Sequence, residues 1–165
     1  MAKVELLAPA QNLKSIKAVE KYADAVYFGT EALNMRINAD NLSLQDLPQV
    51  VKYCHDQQLK AYLTTNVIIY EPELDLVETQ IKKAKNAGID AVIVHDMATL
   101  EIAKEENLPF HISTQASISN SRAATFYEKL GADRIILARE CSLGQIKERA
   151  NKLKITEIET FIHGA

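Results

Sequence analysis

Gly88-Ile89-Asp90-Ala91-Val92-Ile93-Val94 is the stretch that decides the fold. A glycine suited to the end of a helix is followed by an aspartate and four apolar residues, a pattern typical of a turn leading into a buried strand. Two other stretches resemble it: Ala23-Asp24-Ala25-Val26-Tyr27-Phe28 and Gly131-Ala132-Asp133-Arg134-Ile135-Ile136-Leu137. This weak repeat predicts a chain built from similar helix–turn–strand units.

Short apolar runs alternate with longer amphipathic segments along the chain, as in βαβ units around a parallel sheet. The predicted strands cover residues 4–7, 25–28, 60–65, 91–94, 110–113, 134–137 and 158–162, and the predicted helices cover residues 13–22, 47–58, 72–87, 97–106, 121–130 and 143–152. Most of these strands are apolar on both faces, which favours a closed barrel over an open sheet. The prediction is an α/β fold: an incomplete (β/α)8 TIM-type barrel with about seven parallel strands and six helices.

The chain length predicts one domain that is only part of a barrel. A complete barrel of this type needs roughly 250 residues, whereas this chain has 165. We therefore expect residues 1–165 to be the N-terminal portion of a longer parent, lacking a final helix, an eighth strand and its helix. An unfinished barrel edge exposes unpaired backbone groups, so we expect it to pair with another copy, as a homo-oligomer, or with the missing part.

Composition excludes several classes of protein. The net charge of −3 gives no overall basic field of the kind that marks a stand-alone nucleic-acid binder, although local basic patches remain compatible with it. No apolar run is long enough to span a bilayer or to act as a secretory signal, which predicts a cytoplasmic protein without a membrane partner. Cys54 and Cys141 stand far apart without a C-x-x-C partner, so neither a disulfide framework nor a zinc site is indicated.

Polar residues follow the ends of most predicted strands, where barrel enzymes build their sites. Arg36 and Arg139 offer planar guanidinium groups for a carboxylate or phosphate, and Asn66 and Gln115 offer amides. Capping of the next helix does not explain these four residues, and we predict that they bind substrate. For Asn12, Asp96 and Ser142, by contrast, helix capping is the favoured interpretation.

Histidines near the predicted strand ends could supply acid–base chemistry. A histidine titrates near neutrality and a carboxylate can orient it, which makes His95-Asp96 and His163 candidates. Adjacent strand residues point to opposite sides, so His95 and Asp96 need not pair. The chain contains none of the motifs H-E-x-x-H, G-x-S-x-G, the phosphate loop or G-x-G-x-x-G, and a self-sufficient hydrolase of a common type is therefore unsupported.

Several of these segments together resemble the collagenase-like peptidase family, peptidase family U32. They include Glu5-Leu6-Leu7-Ala8-Pro9-Ala10, Tyr62-Leu63-Thr64-Thr65-Asn66, Ser113-Thr114-Gln115 and Leu137-Ala138-Arg139-Glu140-Cys141-Ser142-Leu143. The most specific segment is Glu159-Thr160-Phe161-Ile162-His163-Gly164-Ala165, which is similar to the opening of the family signature E-x-F-x-x-G-[SA]. In the family that signature continues into cysteines. Gln11 stands where the family commonly has glycine.

The resemblance implies one of two activities for the parent protein. Some members are oxygen-independent hydroxylation proteins that act on tRNA uridine, ribosomal RNA cytidine or a ubiquinone precursor, with prephenate implicated for RNA and an iron–sulfur cluster held by cysteines. On this hypothesis Arg36 and Arg139 bind an anion such as a prephenate-like carboxylate, while Asn66, Gln115 and Asn120 recognise polar edges of the RNA. The cluster belongs to the parent, since Cys54 and Cys141 do not match the family's cysteines and no cofactor is assigned to this chain.

Other members are described as metal-dependent collagen-degrading proteases. On that alternative His95, Asp96, Glu140 and His163 serve as metal ligands or acid–base groups acting on a peptide, although their spacing indicates no metal site. A third alternative is a non-catalytic binding or assembly fragment. In each case we expect these 165 residues to be inactive on their own.

Overall fold

The computed structural model describes residues 4–35 and 42–163. Within them, seven strands form one parallel sheet in chain order, which confirms the predicted fold class. The strands are β1 (Leu7–Pro9), β2 (Ala25–Gly29), β3 (Lys60–Thr65), β4 (Ala91–Val94), β5 (Phe110–Ile112), β6 (Arg134–Ile136) and β7 (Glu157–Glu159). The helices are α1 (Leu13–Val19), α2 (Leu47–Asp56), α3 (Leu74–Ala87), α4 (Met97–Glu105), α5 (Ser121–Leu130) and α6 (Leu143–Ala150), and 3-10 helices lie at Glu71–Glu73 and Thr114–Ala116. The sheet curls into a half-barrel with β1 and β7 at its two ends.

Successive strand residues enter two separate cores. In β2, Val26 and Phe28 belong to the large core between the sheet and the helices. Ala25 and Tyr27 belong to a smaller cluster with Tyr62, Ile93 and others. Strand side chains alternate between the two faces of a sheet, so this second cluster lines the concave interior of the half-barrel. Apolar residues on both faces were the sequence feature that favoured a barrel.

The aspartates of the sequence repeat fasten each strand pair at its starting end. Asp24 accepts a hydrogen bond from the backbone N–H of Leu6 at 3.0 Å, Asp90 from that of Ala61 at 2.7 Å, and Asp133 from that of Phe110 at 3.1 Å. In each case the backbone N–H of the aspartate also donates to the backbone carbonyl of the residue whose N–H it accepts. The repeat therefore corresponds to three similar strand pairs: β1 with β2, β3 with β4, and β5 with β6.

The two outermost strands lie elsewhere than the sequence predicted. Residues 4–7 were predicted as the first strand, but pairing with β2 begins only at Leu7, because the backbone of Leu6 is bound by Asp24. Residues 158–162 were predicted as the last strand, but pairing with β6 ends at Glu159. Phe161 is instead an exposed residue beyond the sheet. The corrections concern edge strands, each of which pairs on one side alone.

The helices follow the predicted order with some shorter ends. Helix α5 spans the predicted residues, and α2 begins at Leu47, after Asp46, with a proline in its first turn. Helix α3 starts two residues later than predicted, after a 3-10 turn. It ends at Ala87 and is followed by Gly88, whose φ of 84° suits glycine. Helices α1 and α6 end three and two residues earlier than predicted. No helix in the described ranges has the length and apolar character needed to cross a membrane.

A charged network closes the amino-terminal end of the half-barrel. Arg134 at the start of β6 is buried and donates to Glu5 Oε1, just before β1, at 2.7 Å. It also donates to Glu157 at 2.6 Å and to Glu159 at 3.3 Å, both on β7. Tyr62 OH donates to Glu5 at 2.9 Å. The bond between Arg134 and Glu5 links the start of β6 to the segment just before β1, which is possible because the sheet curls.

Burial and the charge of Arg134 shift pKa values at this end of the half-barrel: the two effects oppose each other at the glutamates and act together at His111. Burial raises the pKa of Glu5, but hydrogen bonds from Arg134 and Lys60 outweigh it and bring that pKa to about 2. Burial raises the pKa of Glu159, and the nearby Arg134 only partly offsets this. Burial, with the charge of Arg134, lowers the pKa of His111 to about 3. His111 is therefore neutral near pH 7, in edge-to-face contact with Tyr62 at 4.7 Å.

Candidate ligand-binding cavity at the carboxyl-terminal mouth

A cavity of about 310 Å³ opens at the end of the half-barrel opposite the charged network. Its lining comes from strand ends and from the loops that follow them, the usual position of a barrel site. The polar and aromatic lining residues are Gln11, Tyr27, Phe28, Asn34, Thr64, Asn66, Ser113, Thr114, Gln115, Arg139 and Phe161. The cavity thus combines amide groups, hydroxyl groups, the guanidinium group of Arg139 and the aromatic rings of Tyr27 and Phe161.

Asn66 and Gln115 are positioned by hydrogen bonds from their neighbours. Asn66 follows the last residue of β3, and its Oδ1 accepts from the backbone N–H of Met35 at 3.4 Å. Gln115 lies in the 3-10 helix after β5, where Ser113 Oγ donates to its Oε1 at 3.2 Å and accepts from its backbone N–H at 3.3 Å. Ser113 is buried, so it is a firm anchor for the Gln115 side chain.

Arg139 brings positive charge to the cavity from the loop after β6. Its guanidinium carbon lies 5.7 Å from the centre of the Phe161 ring, within the range of a cation–π contact. Thr114 Oγ1 donates to the carbonyl of Leu137 at 3.2 Å, which ties the loop after β5 to the end of β6. The loops that carry Gln115 and Arg139 are therefore held together.

Three of the predicted substrate-binding residues, Asn66, Gln115 and Arg139, line this one cavity. Arg36 lies outside the described residues. Asn120 lies away from the cavity lining and caps α5, where its Oδ1 accepts from the backbone N–H of Ala123 at 3.0 Å. Convergence on one mouth follows from the parallel sheet, whereas the binding roles remain predictions.

The four residues proposed for acid–base or metal chemistry do not line the cavity. Asp96 caps α4 by accepting from the backbone N–H of Ala98 at 2.8 Å, as the capping interpretation predicted, and it also accepts from that of Ile69 at 3.2 Å. His95 is half-buried, and its Nδ1 has no hydrogen-bond partner among the described residues. Glu140 and His163 are exposed. The catalytic roles of these residues remain untested predictions.

The aromatic part of the cavity was missed by sequence reasoning. Tyr27 lies in β2 with the same strand parity as Ala25, so alternation along β2 could have placed its ring in the concave interior. Phe161 was assigned to a strand that ends before it, so its contact with Arg139 was not foreseeable from the pattern. The sequence signal was therefore present for Tyr27 and absent for Phe161.

The two cysteines do not fit an iron–sulfur cluster. Cluster ligation requires several thiolates around one centre. Cys54 is buried in the large core, where burial raises the pKa of its thiol to about 11, and Cys141 lies in the loop after β6. Among residues 4–35 and 42–163, no three His, Cys, Asp or Glu side chains are grouped so that they could hold a metal ion.

Three curated relatives match nearly the whole chain. An uncharacterized protease of Methanocaldococcus jannaschii is 46% identical over 100% of this chain and 42% of its own length. The tRNA hydroxylation protein P1 of Bacillus subtilis is 39% identical over 99% of the chain and 39% of its own length. A collagenase of Porphyromonas gingivalis is 39% identical over 98% of the chain and 42% of its own length. The chain therefore spans about two fifths of the length of these relatives.

Family membership follows from sequence, and a solved structure agrees on the fold. The structure of a U32 peptidase superposes with a TM-score of 0.74 over 97% of this chain and 70% of that one, at 15% identity, which supports the fold alone. The sequence model of the family described as "Peptidase family U32" matches residues 11–165. The chain belongs to peptidase family U32.

Proposed function

We propose that this chain is the barrel portion of an RNA-hydroxylation protein and that the mouth cavity holds a planar, polar ligand in that reaction. The observation that carries the proposal is the convergence of Asn66, Gln115 and Arg139 on one cavity with the Phe161 ring. A volume of about 310 Å³ suits a small molecule or a single nucleobase. Such a ligand fits the groups that line the cavity.

The lining chemistry supports a ligand with both polar edges and negative charge. A side-chain amide both donates and accepts hydrogen bonds, so Asn66 and Gln115 can bind the edge of a base. The guanidinium of Arg139 can bind a carboxylate or a phosphate through two parallel hydrogen bonds. A nucleotide, or a nucleobase beside a small carboxylate, satisfies both requirements.

The comparisons support two activities, and the geometry favours one of them. The relatives include a tRNA hydroxylation protein and a collagenase at equal identity. A peptidase would need acid–base or metal-binding groups at its ligand, but His95, Asp96, Glu140 and His163 lie away from the cavity lining. The amide, hydroxyl and guanidinium groups that do line it are suited to binding and orienting a ligand. Collagenase-like peptide hydrolysis is the alternative.

An iron–sulfur cluster and oxygen-independent chemistry belong to this proposal only as properties of the parent protein. Because Cys54 and Cys141 do not fit a cluster, its ligands would come from other residues. The role proposed for this chain is to bind and orient the ligand at the mouth. A cytoplasmic location, where tRNA is available, is part of the same proposal.

The test is a complementation experiment with the full-length protein that contains this chain. A strain lacking the gene is complemented with wild type, Arg139→Ala, Gln115→Ala or the surface control Lys104→Ala, and its tRNA nucleosides are analysed by mass spectrometry. Wild type and the control should restore a uridine that is one oxygen atom heavier. Each cavity variant should lower its amount by roughly tenfold or more, the effect expected when a charged or buried hydrogen bond to a ligand is lost.

The opposite result would favour the peptidase. Unchanged tRNA nucleosides in the deletion strain, together with gelatin cleavage by the purified wild-type protein, would overturn the hydroxylation proposal. In that case Glu140→Gln and His163→Gln should abolish the cleavage.

A further inference from the structure

Helix α5 carries an exposed stripe in which cationic and aromatic side chains alternate. Arg122, Phe126 and Lys129 are spaced four and three residues apart, so they share one helix face. Together with Lys152 they line a shallow surface depression of about 380 Å³. We call these four residues the α5 patch. Ser121 and Thr125 add hydroxyl groups to the same depression.

Phe126 is the unusual member of the α5 patch, because its side chain is not used in the core. It is 55% exposed, and its ring lies edge-to-face with that of Tyr127, at 5.5 Å between the ring centres. The exposed ring lies between cations one helical turn away on either side. Aromatic rings flanked by basic side chains are the usual platform for stacking unpaired bases.

Lys152 is held beside α5 although it follows α6 in the chain. Its ammonium donates to Glu148 at 2.9 Å and to Ser121 Oγ at 3.4 Å. These bonds direct the lysine side chain to the start of α5. A third cation thereby joins Arg122 and Lys129.

The segment that contains α5 and α6 is basic, unlike the rest of the chain. Residues 121–154 contain eight Lys or Arg and four Asp or Glu, whereas the whole chain contains 19 and 22. Arg134 and Arg149 are buried, so six of these cations remain to face a polyanion. The rest of the chain is therefore acidic, and a polyanion would be attracted to the region around α5 and α6 and repelled elsewhere. This is the local basic patch that the overall charge of −3 conceals.

The α5 patch is also close in sequence to the mouth cavity. Helix α5 starts at Ser121, and the segment just before it supplies Ser113, Thr114 and Gln115 to the cavity lining. Because α5 follows the carboxyl end of β5, its first turn lies on the mouth side of the barrel. A polymer bound along α5 can extend from there to the mouth.

We propose that the α5 patch docks RNA, with phosphates bound by Arg122, Lys129 and Lys152 and an unpaired base stacked on Phe126. The choice of RNA as the polyanion rests on the proposed function, whereas the patch is a second surface, separate from the mouth cavity. Its contribution is affinity for the polymer, while the cavity orients the reacting group.

The experiment measures binding rather than turnover. Fluorescence anisotropy gives the affinity of the full-length protein for unmodified tRNA and for heparin, a polyanion without bases, over a series of salt concentrations. Arg122→Gln, Lys129→Gln, Lys152→Gln and Phe126→Ala are compared with two controls, Lys83→Gln and Tyr22→Ala. The controls remove an exposed cation and an exposed aromatic ring elsewhere on the surface.

Each charge variant should weaken tRNA binding several-fold and reduce the slope of log affinity against log salt by about 0.7 to 0.9. Phe126→Ala should weaken tRNA binding roughly tenfold and leave heparin binding unchanged, because only RNA has bases to stack. The controls should match wild type. Circular dichroism confirms that each variant is folded.

Several outcomes would overturn the docking proposal. If wild type binds tRNA and the four patch variants bind as tightly, the α5 patch is not the docking surface, while the proposed hydroxylation stands. If Phe126→Ala weakens tRNA and heparin binding equally, base stacking is wrong. If wild type does not bind tRNA at any salt concentration, docking fails together with the proposed function.

Discussion

Gly29 lies so close to Asn34 in the mouth cavity that no side chain fits at this position. It is buried at the end of β2 and lines the cavity beside Asn34, and a Cβ added at this position would lie 2.5 Å from Asn34 Cγ. Its φ is not in the left-handed region. An alanine is therefore excluded by the Asn34 side chain, which donates to the carbonyl of Thr30, and not by backbone strain.

Gly29→Ala should lower the free energy of unfolding by about 1–3 kcal/mol, since over-packing a buried site costs this much. The double variant Gly29→Ala/Asn34→Ala should lose less than the sum of the two single variants, because the colliding atoms are gone. Gly144→Ala is the control, since a Cβ there meets nothing within 4 Å. Urea denaturation is measured on the wild-type protein, the two single variants, the double variant and the control. Strictly additive losses would contradict the proposed collision.

Individual polar residues after the strands could be assigned to the site from sequence only in part. Asn66, Gln115 and Arg139 could be assigned to one mouth because the carboxyl ends of parallel strands meet there. Asn120 and Asp96 share that chain position, but their side chains cap helices. A polar residue after a strand can fill either role, and the sequence does not reveal which backbone N–H groups its side chain will meet.

Asp90 fastens one pair of elements, β3 and β4. Its carboxylate accepts from the buried backbone N–H of Ala61 at 2.7 Å and contacts His55 Nε2 at 3.0 Å. Asp90→Ala should lower the free energy of unfolding by about 1–3 kcal/mol, because the buried Ala61 N–H loses this acceptor. Asp90→Asn, which keeps an acceptor, should cost less. His55→Ala removes the other contact, and a loss as large as that of Asp90→Ala would place the effect at the histidine instead.

At the element scale the sequence predicted what is local and repeated. The alternation of amphipathic segments with short apolar runs gave the bounds of α5 and the start of α2, because this signal lies within the helices themselves. The ends of β1 and β7 were misplaced because pairing, rather than hydrophobicity, ends a strand. The backbone of Leu6 is bound by Asp24, which lies 18 residues further along the chain.

One end of the half-barrel is closed by a contact that no local pattern encodes. Arg134 and Glu5 are 129 residues apart in sequence and 2.7 Å apart in space. The alternation of strands and helices predicts a curled parallel sheet, but it does not indicate which charged side chains will meet across the interior. The concave interior is apolar, as the sequence indicated, but its amino-terminal end is closed by charged side chains, and His111 is buried beside them.

Burial of His111 should make the stability of the whole molecule depend on pH. Its pKa is lowered by burial from 6.5 to about 3, so below pH 6.5 the unfolded chain takes up a proton that the folded chain does not. Stability from this group is fully present above pH 6.5 and is lost as the pH falls toward 3. Glu5, with its pKa lowered from 4.5 to about 2, adds a further loss mainly below pH 4.5.

Between about pH 7.5 and pH 5, the wild-type protein should therefore lose about 2 kcal/mol more of its free energy of unfolding than His111→Phe does. Phenylalanine removes the titrating group and keeps a ring against Tyr62. Any cost of the substitution that is independent of pH cancels, because each protein is compared with itself by urea denaturation at the two pH values. The raised pKa of Glu159 acts in the opposite direction, but it is common to both proteins. Equal losses in the two proteins would mean that His111 can be protonated in the folded state, and that the amino-terminal end of the half-barrel is more open to water than its packing indicates.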